Sequence, residues 1–357
     1  MKIYIKFIIF SFIKSLLFVS VIFFSLVLIL NILTEIEFFK GINVKTYLPI
    51  YASFLNAPTL LFEMFPFVFL ISTQVFFINL FNENQIQVFK YSGLKNSKIL
   101  GIITLTSAVV GILIILFFYG LSSNLKNIYL EIKNKYTTDD KYLAVITNNG
   151  LWIKDTNKDH INIVHASKIE KNFLINAFIT QFDNKNEVIR HIKSNKINIE
   201  KNNWSIFDAQ IFENDTSIKK DLKIIYSNFN YKKIQSLFSN LSSLSIIELY
   251  ELKKNYQSLN YSTTEVDLQT QKLISYPIFL LLMTILSSII MLNTKHFKSN
   301  TIKISIGLLL SVIIYYINNF FFVMGKSEKI SILVAIWFPL FILMTSSILI
   351  SYKINEK

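Results

Sequence analysis

The residues best suited to proton transfer or metal ligation near neutral pH are four histidines, His160, His165, His191 and His296. Their spacing gives no HExxH pair and no recognisable zinc set, and there is no GxSxG elbow. Ordinary strand or surface positions account for them equally well. Cysteine is absent, which excludes a disulfide, a thiolate zinc site, an iron–sulfur cluster and a Cys nucleophile. Gly325-Lys326-Ser327 ends like a phosphate-binding loop, but such a loop needs a glycine five residues before Gly325, and position 320 is Phe. No catalytic residue, metal ligand or cofactor is assigned.

Charge offers more. Glu63 lies within an apolar stretch, where an ionisable group is expensive and marks function by default. Pro58 and Pro66 flank it, so a kinked turn near the outer surface is the plainer reading. Lys40, Lys45, Lys126 and Lys133 fall just beyond two other apolar stretches. They suit either solvated helix ends or an anionic head group.

These residues must be positioned by a membrane fold. Of 357 residues 52% are hydrophobic and only 17% charged, against about 25% charged in a soluble domain. Six runs approach the ~20 residues that cross a bilayer: 7–33, 59–81, 99–122, 272–292, 304–324 and 331–351. With the amino terminus inside, the short inner segments hold ten lysines, from Lys2 and Lys6 through Lys90, Lys95 and Lys98 to Lys357. The outer loops hold four, Lys40, Lys45, Lys326 and Lys329. That asymmetry places both termini in the cytoplasm and the insertion 124–271 outside. The insertion has 20 basic and 17 acidic residues, a net of +3, which leaves +10 of the total +13 dispersed around the apolar runs. Such a distribution is no nucleic-acid stripe.

Within the insertion, Asn149-Gly150 signals a hairpin and several short alternating segments predict an all-β sandwich or jelly roll. Trp152, Phe173, Ile175, Phe178, Trp204 and Phe207 are its candidate core. Ser245 and Glu248 form a capping box that opens a trailing helix. The expected organisation is helices one to three over 1–123, a β domain with its helix over 124–262, and helices four to six over 263–357.

Between the second and third runs lies "NENQIQVFKYSGLKNSK", residues 82–98. As a helix over 82–95 it sets Ile86 and Phe89 on one side, and Gly93 can end it in a left-handed cap. Lying across two span ends, it is placed either to pass force from a soluble partner or to rest on lipid.

Several motifs, in order, resemble the LptF/LptG permease family (YjgP/YjgQ-type). "APTLLFEMFPFVFL" is similar to the family's second-span motif with two prolines eight apart, here Pro58 and Pro66. "NQIQVFKYSGLK" resembles its coupling helix "SELVxxRAAGVS", with Lys90 at the basic position and Gly93 at the glycine. "NNGLWIKD…INIVHASKI" and "AIWFPLFIL", with Trp337 and Pro339, resemble two further motifs, closer to the LptG branch. The resemblance covers essentially the whole chain. It implies a non-enzymatic permease subunit of an ABC-type lipopolysaccharide exporter in the bacterial inner membrane. It also implies a cytosolic LptB-like ATPase dimer, a second, LptF-like permease half and an LptC-like periplasmic protein. Glu83, Gln85, Ile86, Phe89, Lys90 and Gly93 would couple to the ATPase, with Ile86 and Phe89 filling its groove. Lys40, Lys45, Lys126 and Lys133 would meet lipid phosphates. One departure stands out: the family's coupling Glu falls at Gln85, and the local acid is Glu83. The alternatives are a membrane-anchored enzyme acting on lipid or glycan, and a structural adaptor for the β domain.

Overall fold

The computed structural model describes residues 2–136, 151–156, 160–170, 172–183, 187–213, 216–231, 234, 240–258, 261–293 and 299–355. Asn149-Gly150 and His296 lie outside them. The helices before the insertion are α1 (Ile3–Phe38), α2 (Leu48–Asn82), α3 (Gln85–Tyr91), α4 (Asn96–Leu113) and α5 (Gly120–Lys135), the last two joined by a π-helical turn at Ile114–Tyr119. Six strands follow, β1 (Leu151–Thr156), β2 (Ile161–Glu170), β3 (Phe173–Phe182), β4 (Val188–Asn198), β5 (Asn203–Glu213) and β6 (Thr216–Tyr226). Helix α6 (Ile246–Ser258) precedes α7 (Thr264–Asn293), α8 (Asn300–Lys326) and α9 (Ile332–Asn355). The chain divides into a helical unit, Met1–Lys126 with Thr264–Lys357, and a β unit, Asn127–Thr263.

In the helical unit six helices are long and apolar enough to cross a membrane. They fall on the six expected runs, but several overshoot them. Helices α1 and α2 have 36 and 35 residues, each ~50 Å at 1.5 Å per residue, against a hydrocarbon core of ~30 Å. A hydropathy run stops where polar residues begin, whereas a helix continues as long as its backbone is satisfied. Pro58 and Pro66 both sit inside the unbroken α2, so the expected turn around Glu63 does not occur. Pro66 has no N–H to give the Phe62 carbonyl one turn back. The Tyr276 hydroxyl of α7 donates to that carbonyl instead, as neighbouring helices do for proline in membranes.

Packing runs through α2, the most buried span, with α1, α7 and α8 against it. One apolar cluster joins Ile8 and Phe12 of α1, Phe76, Phe77 and Leu80 of α2, Ile99 and Ile103 of α4 and Met291 of α7. Buried hydroxyls pin other crossings: Ser107 to Thr284 at 2.8 Å and Ser287 to the Leu70 carbonyl at 2.7 Å.

In the β unit the six strands form one antiparallel sheet in the order β1-β2-β3-β4-β5-β6. The described strands thus make a meander, without the crossover of a jelly roll. One face is buried, and its residues follow strict alternation only in part. Ala166, Ala177, Ser194 and Ala209 form one buried row, and Ile169, Leu174, Ile197 and Ile206 the next. The rows stand three residues apart along every strand, so the side-chain alternation reverses once. Asn176 and Asp208, at φ 49°, lie in this crease; short polar side chains tolerate the left-handed conformation best. Of the expected core only Trp204 is buried, its Nε1 donating to the Phe229 carbonyl at 2.8 Å. Trp152, Phe178 and Phe207 are exposed on the other face, and Phe173 and Ile175 are half-buried. Aromatic size suggested the core, but strand parity decides it. The capping box forms as expected, with the Ser245 N–H donating to the Glu248 carboxylate at 2.7 Å.

Candidate functional site

Helix α3 is held by its two ends and one face. Asn84, at φ 55°, turns the chain sharply out of α2. At the other end Gly93 adopts φ 77°. The Leu94 N–H then reaches the Phe89 carbonyl at 2.9 Å and the Gly93 N–H the Lys90 carbonyl at 3.0 Å. These two bonds are a Schellman cap, so Gly93 does what its position in the sequence implied. The face is set by Ile86, which is only 5% exposed and packs with Leu80, Leu94 and Ile99 in the cluster above. Phe89 is half-buried beside it, its ring edge-on to Phe7 at 6.1 Å.

The anchors expected to enter a partner therefore point inward. Ile86 has no free surface to offer, because an amphipathic helix laid on a bundle spends its apolar stripe on that bundle. The opposite face carries Val88 and Tyr91, 59% and 89% exposed, with Gln87 and Lys90 beside them. The 3.6-residue period separates the two faces, but the sequence does not say which one the chain keeps for itself. Glu83 and Gln85 are joined by a hydrogen bond from the Gln85 amide to the Glu83 carboxylate. The displaced acid and the neutral amide thus form one polar group at the start of α3.

The four lysines divide. Lys40 and Lys45 are exposed after α1, Lys45 lying 5.9 Å from the Tyr47 ring. Lys126 is half-buried and donates to Asn56 Oδ1 at 2.6 Å. Asn56 in turn donates to Asn31, and Asn31 to the Ser53 carbonyl. In the β unit, Lys133 is 5% exposed, bonded to the Tyr129 hydroxyl at 3.0 Å and set over its ring. Sequence reading missed the Asn31–Asn56–Lys126 relay and the buried Glu35 one turn beyond it. Asn31 and Glu35 recur at i, i+4 on α1, and that spacing was the available signal.

A cavity of about 260 Å³ opens among α2, α7, α8 and α9. Glu63 and Lys272 line it, with Tyr276, Tyr315, Asn318, Asn319 and Phe322 among its walls. Phe62 stacks on Tyr276 at 4.5 Å and fixes one wall. Sequence reading singled out Glu63 and Pro66 of α2 but not Lys272 and Tyr276 of α7 or the lining residues of α8.

Gly325-Lys326-Ser327 ends α8 rather than leading into a helix, so it has no cradle of amides for phosphate. A Cβ at Gly325 would lie 2.5 Å from that of Ala335, so this glycine serves the packing of α8 on α9. His165 faces the Trp152 ring at 4.4 Å, and His191 Nδ1 lies 3.1 Å from the Thr180 hydroxyl. No group of three potential metal ligands converges among the described residues.

A search of curated proteins found no match to the chain. The family model for the lipopolysaccharide export system permease LptF/LptG matches residues 6–353, nearly the full length. With six apolar helices, an antiparallel sheet inserted between the third and fourth of them, and a capped helix bridging the second and third, the chain belongs to the LptF/LptG family of lipopolysaccharide export permeases.

Proposed function

We propose that this chain is one membrane half of an ATP-driven lipopolysaccharide exporter, powered through α3 by a separate cytosolic ATPase dimer. Both termini and α3 face the cytoplasm in this reading, and the β unit faces the periplasm, where it hands lipid to a bridge begun by an LptC-like protein. The observation that carries it is the seating of α3. Its inner face is locked into the cluster that joins α1, α2, α4 and α7, while Val88 and Tyr91 are left outward. A push on Tyr91 is thereby a push on four spans. The least buried spans are α8 and α1, with 17% and 22% of their most apolar stretch covered, against 67% for α2. Those two bare helices suit contact with a second permease half and with lipid. Lys40 and Lys45 are the head-group contacts of this reading. Lys126 and Lys133 join them only by giving up their bonds to Asn56 and Tyr129.

Purification from native membranes is the test. The wild-type chain is expected to bring down the ATPase, a second permease chain and lipopolysaccharide. Val88→Ala with Tyr91→Ala is expected to lose the ATPase and keep the other two, since a few buried anchors carry most of a small interface. Full ATPase recovery with the double variant refutes coupling through α3.

A further inference from the structure

The cavity among α2, α7, α8 and α9 holds two opposite charges that do not meet. Glu63 and Lys272 both line it. Among the described residues no ion pair or hydrogen bond engages the Glu63 carboxylate or the Lys272 ammonium. The lysine instead lies 5.4 Å from the Phe322 ring centroid. Glu63 is exposed and Lys272 half-buried, so both charges are open to a ligand, and one ligand that carries both signs would meet the two together. The remaining walls fit such a ligand. The walls include the rings of Tyr276 and Tyr315, of a kind that attracts an ammonium, and the Asn319 amide, of a kind that donates to a phosphate. At about 260 Å³ the cavity takes a polar head group and not a whole lipid. Its depth agrees. Glu63 stands 19 residues from Asn82 at the inner end of α2, ~28 Å along the helix, which is the outer edge of a ~30 Å hydrocarbon core.

We propose that this cavity binds a zwitterionic phosphate–amine head group of the phosphoethanolamine kind, Glu63 holding the amine and Lys272 the phosphate. The proposal rests on the permease reading for the orientation of α2. The head group has two sources, a bilayer phospholipid or a lipid A that bears phosphoethanolamine.

The purified full-length chain, analysed by native mass spectrometry, separates the outcomes. One mixture offers dioleoylphosphatidylethanolamine against dioleoylphosphatidylglycerol, and a second offers lipid A with and without phosphoethanolamine. The amine-bearing member is expected to be retained about tenfold better, as for one added charge-assisted contact. Preference in the first pair alone names the phospholipid, and preference in the second names lipid A. Glu63→Gln is expected to bring the ratio to about one, and Lys272→Gln to lower retention of both members. A wild-type ratio near one in both pairs overturns the proposal without any variant, and so does a preference that survives Glu63→Gln. ATP-driven release of unmodified lipid A by the wild-type complex reports separately on the permease reading, so the two fail independently.

Discussion

At Gly307, α8 packs directly on the Gln74 side chain of α2, and the contact can be put under load. A Cβ placed on Gly307 would lie 2.1 Å from Gln74 Nε2, 2.8 Å from its Cδ and 2.9 Å from its Oε1. No real carbon approaches so near, so Gly307→Ala must expel the Gln74 amide. That amide is fully buried and donates to the Lys303 carbonyl at 2.9 Å. Leaving a buried amide unpaired costs about 1–3 kcal/mol, and overpacking a tight crossing costs about as much again. Gly307→Ala is therefore expected to destabilise the chain by about 2–5 kcal/mol. In detergent that is a fall in thermal midpoint on the order of 5–10 °C. Gln74→Ala removes all three clashing atoms. Added to Gly307→Ala, it should recover much of the loss, with a coupling of about 2 kcal/mol or more in a double-mutant cycle. If Gly307→Ala melts like the wild type, or is equally damaging with and without Gln74, the close contact is not what seats α8.

Two further outcomes follow from the same kind of reasoning. Ile86→Ala, at about 2–5 kcal/mol for a buried side chain, and Gly93→Ala, at about 1–2 kcal/mol for a forced positive φ, should both speed amide exchange across Val88–Leu94. Tyr91→Ala should leave that exchange unchanged. In the β unit, burial first, and then the positive charges of Arg190 and Lys220, push the Lys223 ammonium down to about 8 from 10.5. The unfolded chain then binds more protons between these values, so this group's penalty is full below pH 8 and is relieved as pH rises towards 10.5. Exchange protection in β4–β6 should accordingly increase over that window, and Lys223→Met should flatten the rise.

Span number and the inserted sheet were legible because each rests on a pattern longer than one turn. Six apolar runs and the period-2 segments survive small errors of boundary. Gly93 and the Ser245–Glu248 box were legible because a cap is a local geometry that names its own residues. The faces of α3 were not, because whether Ile86 or Tyr91 turns inward depends on Phe76, Phe77, Ile99 and Met291, which are distant in sequence. The sheet core failed for a different reason. Trp152 and Phe207 fit a core by size, yet the crease at Asn176 and Asp208 reverses the side-chain parity that any alternation count assumes. The cavity residues of α7 and α8 were out of reach, since only the packed bundle brings them to Glu63. Lys40, Lys45, Lys126 and Lys133 were identified as residues but not as environments. Nothing in the sequence marks Lys126 as bonded to Asn56 while Lys40 is left to solvent.

The π-helical turn between α4 and α5 has a consequence for how the third span is wired to its neighbours. Up to the turn and its first residue the buried positions are Ile99, Ile103, Thr106, Ser107, Gly111 and Ile114, and two of them meet α7, Gly111 against Pro277 and Ser107 bonded to Thr284. After it they resume at Tyr119 and Ser122, which meet α2: the Tyr119 ring lies 5.2 Å from Phe62, and the Ser122 carbonyl accepts from Thr59 at 3.0 Å. The step from Ile114 to Tyr119 is five residues, where an α-helix repeats a face every three or four. The extra residue is taken up by the wider turn, so Tyr119 stands about where position 118 would stand in a regular α-helix, and the buried face carries on past Ile114. Deleting one residue between Ile114 and Tyr119 would therefore restore regular α-helix and leave Tyr119 four residues after Ile114, still on the face that meets α2. Straightening the turn with every residue kept would instead rotate everything beyond it by ~100°, and Tyr119 and Ser122 would swing off α2 with every side chain still present.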